Sequence, residues 1–214
     1  MQNKNKSRRK NRVIFLLGSL LLVAGFFLFQ TADFSQGATA TDQVNLSVTV
    51  AETISLDCGA DVDLGTLTPG TPVSASSVCT TATNANGGYD VSVKRDDADT
   101  TMDHSADAST NITDKTAWNR TTPNAAVYAS SGLAFSVFAS TATKNTTWWG
   151  TGTSCHDASN LYAGFPTAYT NIMEHATYSS GSTTTSICYR VDVPATQKSG
   201  SYTGSVTYQV TSKP

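Results

Sequence analysis

The sequence predicts an all-β protein built as an antiparallel β-sandwich, and three observations support that prediction. Threonine, serine and glycine are abundant, which suits strands and turns because β-branched threonine packs well on a pleated sheet. Several segments alternate apolar and polar residues with a period of two, as half-buried strands do. No strand–helix–strand rhythm is visible, so a parallel sheet is not expected.

The first 40 residues have the three parts of an export signal. Six of the fourteen basic residues lie within positions 1–12, residues 13–29 carry no charge, and Ala38-Thr39-Ala40 is a small-x-small site. We expect a signal peptide that is cleaved after Ala40. The alternative is an uncleaved membrane anchor, since seventeen helical residues span roughly 26 Å of a hydrocarbon core of about 30 Å. In both cases the apolar helix is the only part expected in the membrane, and residues 41–214 are secreted or exposed at the cell surface.

The exported part is acidic. Residues 41–214 keep eight basic and fifteen acidic side chains, for a net charge of about −7. Their Lys and Arg residues are scattered, so the chain lacks the basic patch that a nucleic-acid partner would require. The length suits one sandwich domain over residues 41–214.

Four cysteines are expected to form two disulfides, because exported domains usually oxidise an even set of thiols. Three pairings are possible. We favour Cys58–Cys79 with Cys155–Cys188, since each pair lies within one half of the chain.

Alternation and turn signals place seven strands. The predicted strands are 44–50 (continuing toward Cys58), 62–67, 73–83, 89–95, 133–137, 186–194 and 202–210. The Asn/Gly-rich segment 84–88 predicts a hairpin between the third and fourth of them. Residues 96–132 and 146–182 are predicted to be long loops that form an irregular central insertion. The first is anchored by Trp118, and the second includes a short helix around 171–176.

Both ends of the exported domain resemble secreted subunits of the spore coat protein U and fimbrial pilin type. The resemblance rests on a strand leading to Cys58, Asp63-Leu-Gly-Thr66, Cys79-Thr80 and the Gly88-Tyr-x-Val-x-Val93 strand, and on the ending Gly200–Tyr208. That ending is also similar to Gram-positive surface domains known by a Trp-x-Leu motif, although the motif itself is missing. Residues 96–182 have no counterpart in this resemblance.

The resemblance implies an immunoglobulin-like sandwich with a disulfide between its first two strands, in agreement with Cys58–Cys79. It also implies assembly by strand donation, in which one subunit lends an N-terminal strand to the sheet edge of another. Residues 41–51 have the alternating pattern that a donor needs. The same pattern fits the first strand of the domain itself, and that is the interpretation we favour from the sequence.

An acidic cluster is the candidate metal site. Asp96, Asp97, Asp99 and Asp103 offer the oxygen ligands that Ca²⁺ prefers. The calcium-loop pattern fails, however, because Met102 stands where glycine is needed and Ala108 where the bidentate glutamate belongs. A solvated acidic loop is therefore the preferred interpretation, and no cofactor is expected.

Two adjacent tryptophans are the candidate ligand site. Trp148 and Trp149 could stack on sugar rings, but on a strand adjacent side chains point to opposite faces, so at most one would be exposed. Packing inside the domain is the more common use of tryptophan.

Catalysis is not expected. The chain has three histidines and no Gly-x-Ser-x-Gly element. We therefore expect a structural or adhesive envelope protein, a subunit of a surface fibre or layer, that binds other envelope proteins or itself. The alternative is a carbohydrate-binding module that uses Trp148 or Trp149.

Overall fold

The computed structural model describes residues 39–141, 144–179 and 181–214, and across these residues the chain is almost entirely β. In chain order the described elements are β1 (Ile54–Asp57), β2 (Val73–Thr83), β3 (Tyr89–Arg95), β4 (Thr101–His104), β5 (Ile112–Thr113), β6 (Gly132–Ser140), α1 (Thr146–Trp149), β7 (Thr170–His175), β8 (Thr183–Asp192), β9 (Tyr202–Thr203) and β10 (Val206–Ser212). Every pairing between these strands is antiparallel, which confirms the predicted class.

The strands form two main sheets and one small sheet. The larger sheet has the order β1-β2-β8-β6, and the second has the order β10-β3-β7. A small sheet, β5-β4-β9, is built from the shortest strands. In the larger sheet β8 lies between β2 and β6, and its pairings with these two strands are the longest among the described strands.

Both main sheets contribute to one apolar core. Val91 and Val93 of β3 are completely buried, as are Phe135 of β6 and Ile187 of β8. Burial alternates along β3, as its period-two pattern predicts. The last inward-facing residue of β3 is Arg95, which is 2 % exposed.

The predicted hairpin is wrong. β2 lies in the larger sheet and β3 in the second sheet, so residues 84–88 carry the chain from one sheet to the other. Gly88 has a φ of +81°, which a residue with a side chain rarely adopts. The chain does turn within residues 84–88, but a turn motif does not determine which strands pair after it.

Three local predictions are also wrong. Residues 44–50 and 62–67 form no strand, although the predicted continuation of the first strand toward Cys58 is confirmed as β1 (Ile54–Asp57). The helix expected around 171–176 is strand β7. β7 pairs with β3 along the second sheet, so tertiary contacts decide its conformation. The regions 96–132 and 146–182, predicted to be loops, contain β4, β5, α1 and β7.

Residues 39–49 form neither helix nor strand. Their alternating aliphatic side chains are open to solvent: Val44 is 77 % exposed, Leu46 93 % and Val48 89 %, and Val50 follows at 76 %. The predicted signal peptide or anchor lies outside the described residues, apart from its last two positions. Within the described residues, no helix is long and apolar enough to cross a membrane.

Candidate functional site

Both predicted disulfides are confirmed. Cys58–Cys79 ties the segment after β1 to the middle of β2, and Cys155–Cys188 ties a long connection to β8. No cysteine of the described chain is free. Two disulfides indicate an oxidising, extracytoplasmic environment.

The paired tryptophans lie on the one-turn helix α1, and one of them is closed to any ligand. Trp149 is fully buried, and its indole Nε1–H donates to the carbonyl oxygen of Ile172 at 2.8 Å. Trp118, which is 2 % exposed, donates in the same way to the carbonyl of Asn171 at 2.8 Å. Two buried indoles therefore bond to consecutive carbonyls of β7, the edge strand of the second sheet.

Trp148 is half-buried and already packed. Its ring centroid lies 5.6 Å from that of Trp118, and the Arg120 guanidinium lies 5.9 Å from the ring centroid. Arg120 in turn forms an ion pair with Glu174 of β7. Trp148 and Trp149 thus serve mainly to cover the β7 edge of the second sheet.

Two of the four acidic residues proposed for calcium, Asp96 and Asp103, bond to protein groups instead. Asp96 accepts from the Thr207 hydroxyl, and Asp103 accepts from Asn111 Nδ2 at 2.8 Å. Burial raises the pKa of Asp97, the Arg95 guanidinium lowers it, and the carboxylates of Asp99 and Asp103 add to the rise. In the described part of the chain, no group of three or more His, Cys, Asp or Glu side chains could hold a metal ion.

A groove that the sequence did not predict lies between residues 58–67, which we call the strap, and residues 197–208, which include β9 and the start of β10. Two cavities of about 740 Å³ and about 490 Å³ open along it. They share the lining residues Asp61, Val62, Leu64, Met102, Tyr202 and Thr203. The strap therefore lines both cavities on one side and β9 lines both on the other, and the smaller cavity extends to Val206 and Tyr208 of β10.

The floor of the groove is the core of the domain. Leu133 and Phe165 line the smaller cavity together with Tyr189 and Tyr208. The Tyr189 hydroxyl lies 2.8 Å from that of Tyr208 and 3.0 Å from the Ser77 hydroxyl. Burial raises the pKa of the Tyr208 hydroxyl well above its usual value. The interior is mostly apolar, with a short chain of neutral hydroxyls.

A buried ion pair lies at one end of the groove. Arg95 Nη2 donates to Asp114 Oδ1 at 3.1 Å, and both side chains are 1 % exposed. Arg95 Nη1 also donates to the carbonyl of Ser205, directly before β10, at 3.4 Å. Burial raises the pKa of Asp114 to about 7, although Arg95 lowers it. Asp114 Oδ2 and Arg95 Nε are buried without hydrogen-bond partners among the described residues.

The strap covers this groove without joining a sheet. No described backbone group of residues 58–67 bonds to the backbone of a strand. Asp57 and Asp63 instead accept hydrogen bonds from the backbone N–H groups of Gly59 and Gly65, two residues further on. The strap is fixed at one end by the Cys58–Cys79 disulfide and, three residues beyond its other end, by Gly70, whose N–H donates to Val193 O at 3.1 Å.

Both strands that flank the groove have an open edge. β10 pairs with β3 over all seven of its residues, and no described strand pairs with its other side. In the larger sheet, β1 pairs only with Thr80–Thr83, which leaves Val73–Cys79 of β2 paired on the β8 side alone. The sequence does contain the alternation of β10, but the gap beside it arises from how distant strands are arranged.

No protein-family model matches the chain, and no curated protein matches it at a significant level.

Proposed function

We propose that this protein is an exported, non-enzymatic subunit of a surface assembly, and that residues 44–50 of one copy complete the open β10 edge of another. The observation that carries the proposal is the exposure of four aliphatic side chains, at positions 44, 46, 48 and 50, on a segment with strand alternation and no sheet. Exposed apolar surface of this kind marks an interaction site.

The acceptor matches the donor in length. The donor segment 44–50 has seven residues, and β10 has seven residues that pair with β3. A seven-residue strand spans about 23 Å. Adding a strand would satisfy the free backbone groups of β10, which is the general mode of β-augmentation. Alternate donor side chains would then point into the groove.

The chemistry of the groove also matches. Its two cavities are lined by Met102, Leu133, Phe165 and Val191 among others, so they can bury aliphatic side chains. The polar donor residues Asn45, Ser47 and Thr49 would face solvent because strand side chains alternate.

The strand order supports an immunoglobulin-like sandwich with one position vacant. Constant-type domains pair the sheets ABED and CFG. The order β1-β2-β8-β6 corresponds to ABED, and β3 and β10 correspond to C and F. Within the described residues no strand occupies the position of G, beside β10, and the donor strand would fill it.

Cleavage of the predicted signal peptide would link export to assembly. Cleavage after Ala40 would place the donor segment near a free N-terminus. Mass spectrometry of the mature protein tests this step: we expect an N-terminus at Thr41, and an intact Met1 would contradict the donor role.

Assembly is tested with a matched pair of variants in the mature chain. Leu46→Asp places a charge on the inward face of the donor, whereas Ser47→Asp places the same charge on the outward face. By light scattering after size exclusion, we expect wild type and Ser47→Asp to form polymers and Leu46→Asp to remain monomeric. Polymers in all three would refute the proposal, as would monomers in all three at high concentration.

A synthetic peptide of residues 41–51 gives a second test on a chain that lacks them. We expect the peptide to bind and to slow amide hydrogen exchange in β10 while leaving exchange in β7 unchanged. Binding with protection elsewhere would point to a different interaction surface.

A further inference from the structure

The strap lies in the gap that the proposed donor strand would enter, and its contacts differ from those of a sheet strand. Val62, Leu64 and Leu67 are half-buried against the core. Val62 and Leu64 alternate along the chain, as the inward side chains of a strand would, and Leu67 follows three residues later. Yet the strap makes no backbone bond to the open edge of β2 or of β10.

The two fixed ends of the strap place it along the groove. Cys58 is bonded to Cys79, at the end of the open part of β2. Gly70 bonds to the backbone of Val193 and to the Asp192 side chain, near Val191, which pairs with Val73 at the start of β2. The strap therefore runs the length of the open edge while attached to it only at each end.

Between those ends the strap is held by side-chain burial alone. Gly59 and Gly65 have φ values of +74° and +69°, and their backbone N–H groups bond locally to Asp57 and Asp63. Replacing the strap would break no strand ladder, and the cost would be the half-buried surface of three aliphatic side chains. Val62 and Leu64 line both cavities, so the strap leaves unfilled space against the groove.

We infer that the strap is a displaceable cover: it shields the groove in the unassembled subunit and swings out, hinged at Cys58 and Gly70, when a donor strand enters. The inference rests on the proposed function, because it assigns a regulatory role to the same groove. Its consequence is that the strap sets the rate of strand entry, since the groove opens only when the strap side chains leave the core.

The kinetic test uses the mature chain carrying Leu46→Asp, which the proposed function expects to stay monomeric, and the fluorescent 41–51 peptide. Leu64→Ala weakens the cover, and Leu56→Ala is its matched control, since Leu56 is also half-buried against the core but belongs to the hydrogen-bonded strand β1. We expect Leu64→Ala to bind the peptide about fivefold faster, the effect of losing half-buried methyl groups. Leu56→Ala should bind at the wild-type rate.

A structural readout separates failure of this inference from failure of the proposed function. Hydroxyl-radical footprinting of the unmodified strap should show Val62, Leu64 and Leu67 becoming more oxidised when the peptide binds, while Val206 and Tyr208 become less oxidised. Peptide binding that protects Val206 but leaves the strap unchanged, with Leu64→Ala no faster than Leu56→Ala, would overturn the cover and keep the donor-strand proposal. Absence of peptide binding would overturn both.

Discussion

The second sheet has two edges, and they differ in chemistry. At the β7 edge, the indole N–H groups of Trp118 and Trp149 bond to the carbonyls of Asn171 and Ile172, and both rings are buried. At the β10 edge, the described residues provide no comparable partner, and a groove reaches the core. Exposed sheet edges promote uncontrolled pairing. The comparison teaches that side chains close one edge of the second sheet, whereas the other edge is open to a backbone partner.

Truncation at the closed edge should have the largest effect. Trp149→Ala removes a fully buried ring together with its hydrogen bond, and we expect a loss of about 3–5 kcal/mol in the free energy of unfolding. Urea denaturation measures it. Trp148→Ala, at the half-buried neighbour, is the control and should cost clearly less; equal losses would show that the two positions are not distinguished by burial.

Removal of the indole donor alone should have an intermediate effect. Trp149→Phe keeps an aromatic ring but leaves the carbonyl of Ile172 without its partner, which should cost about 2 kcal/mol. The same change at Trp148 should alter stability by less than about 0.5 kcal/mol. If both substitutions behave alike in denaturant, the indole bonds do not seal the β7 edge.

At the open edge, loss of one hydroxyl should have a smaller effect. Tyr208→Phe breaks the contact with Tyr189 but keeps the ring, so we expect a loss of about 1 kcal/mol in monomer stability. Thermal unfolding of the chain without residues 41–51 measures it. An increase in stability would show that the hydroxyl chain in the groove is unfavourable in the free subunit.

The free energy of unfolding should also change with pH. The pKa of Asp114 is raised from 3.8 to about 7 by burial, so the folded state keeps a proton that the unfolded state loses between these values. Stability should therefore fall as pH rises from about 4 to about 7. Asp114→Asn should remove this part of the slope in denaturation series, and an unchanged slope would show that Asp114 ionises normally.

The sequence predicted the class of fold and the covalent links, because these depend on local pattern and parity. Alternation located β3, β6, β8 and β10, and the even cysteine set gave both disulfides. The prediction from sequence failed where contacts between distant parts of the chain determine the local structure. The segment 171–176 carries no strong local preference and becomes a strand because β3 pairs with it.

The candidate site was less predictable than the fold. Alternation at 44–50 indicates a strand but cannot say whose sheet it joins, and the domain's own sheet was the wrong choice. The groove depends on β10 and β2 lying in different sheets, more than 100 residues apart in sequence. The alternation of β3 places Arg95 on its inward face, but the partners Asp114 and Ser205 that accept from it there are connected to it by no spacing rule.

The placement of the tryptophans has a spectroscopic consequence. All three tryptophans of the chain, Trp118, Trp148 and Trp149, lie at the β7 edge, whereas the aromatic residues of the groove are Phe165 and tyrosines. Emission excited at the red edge of the indole band therefore reports on one side of the second sheet only. Because the described lining of the groove includes no tryptophan, this emission separates changes at the β7 edge from changes at the β10 edge.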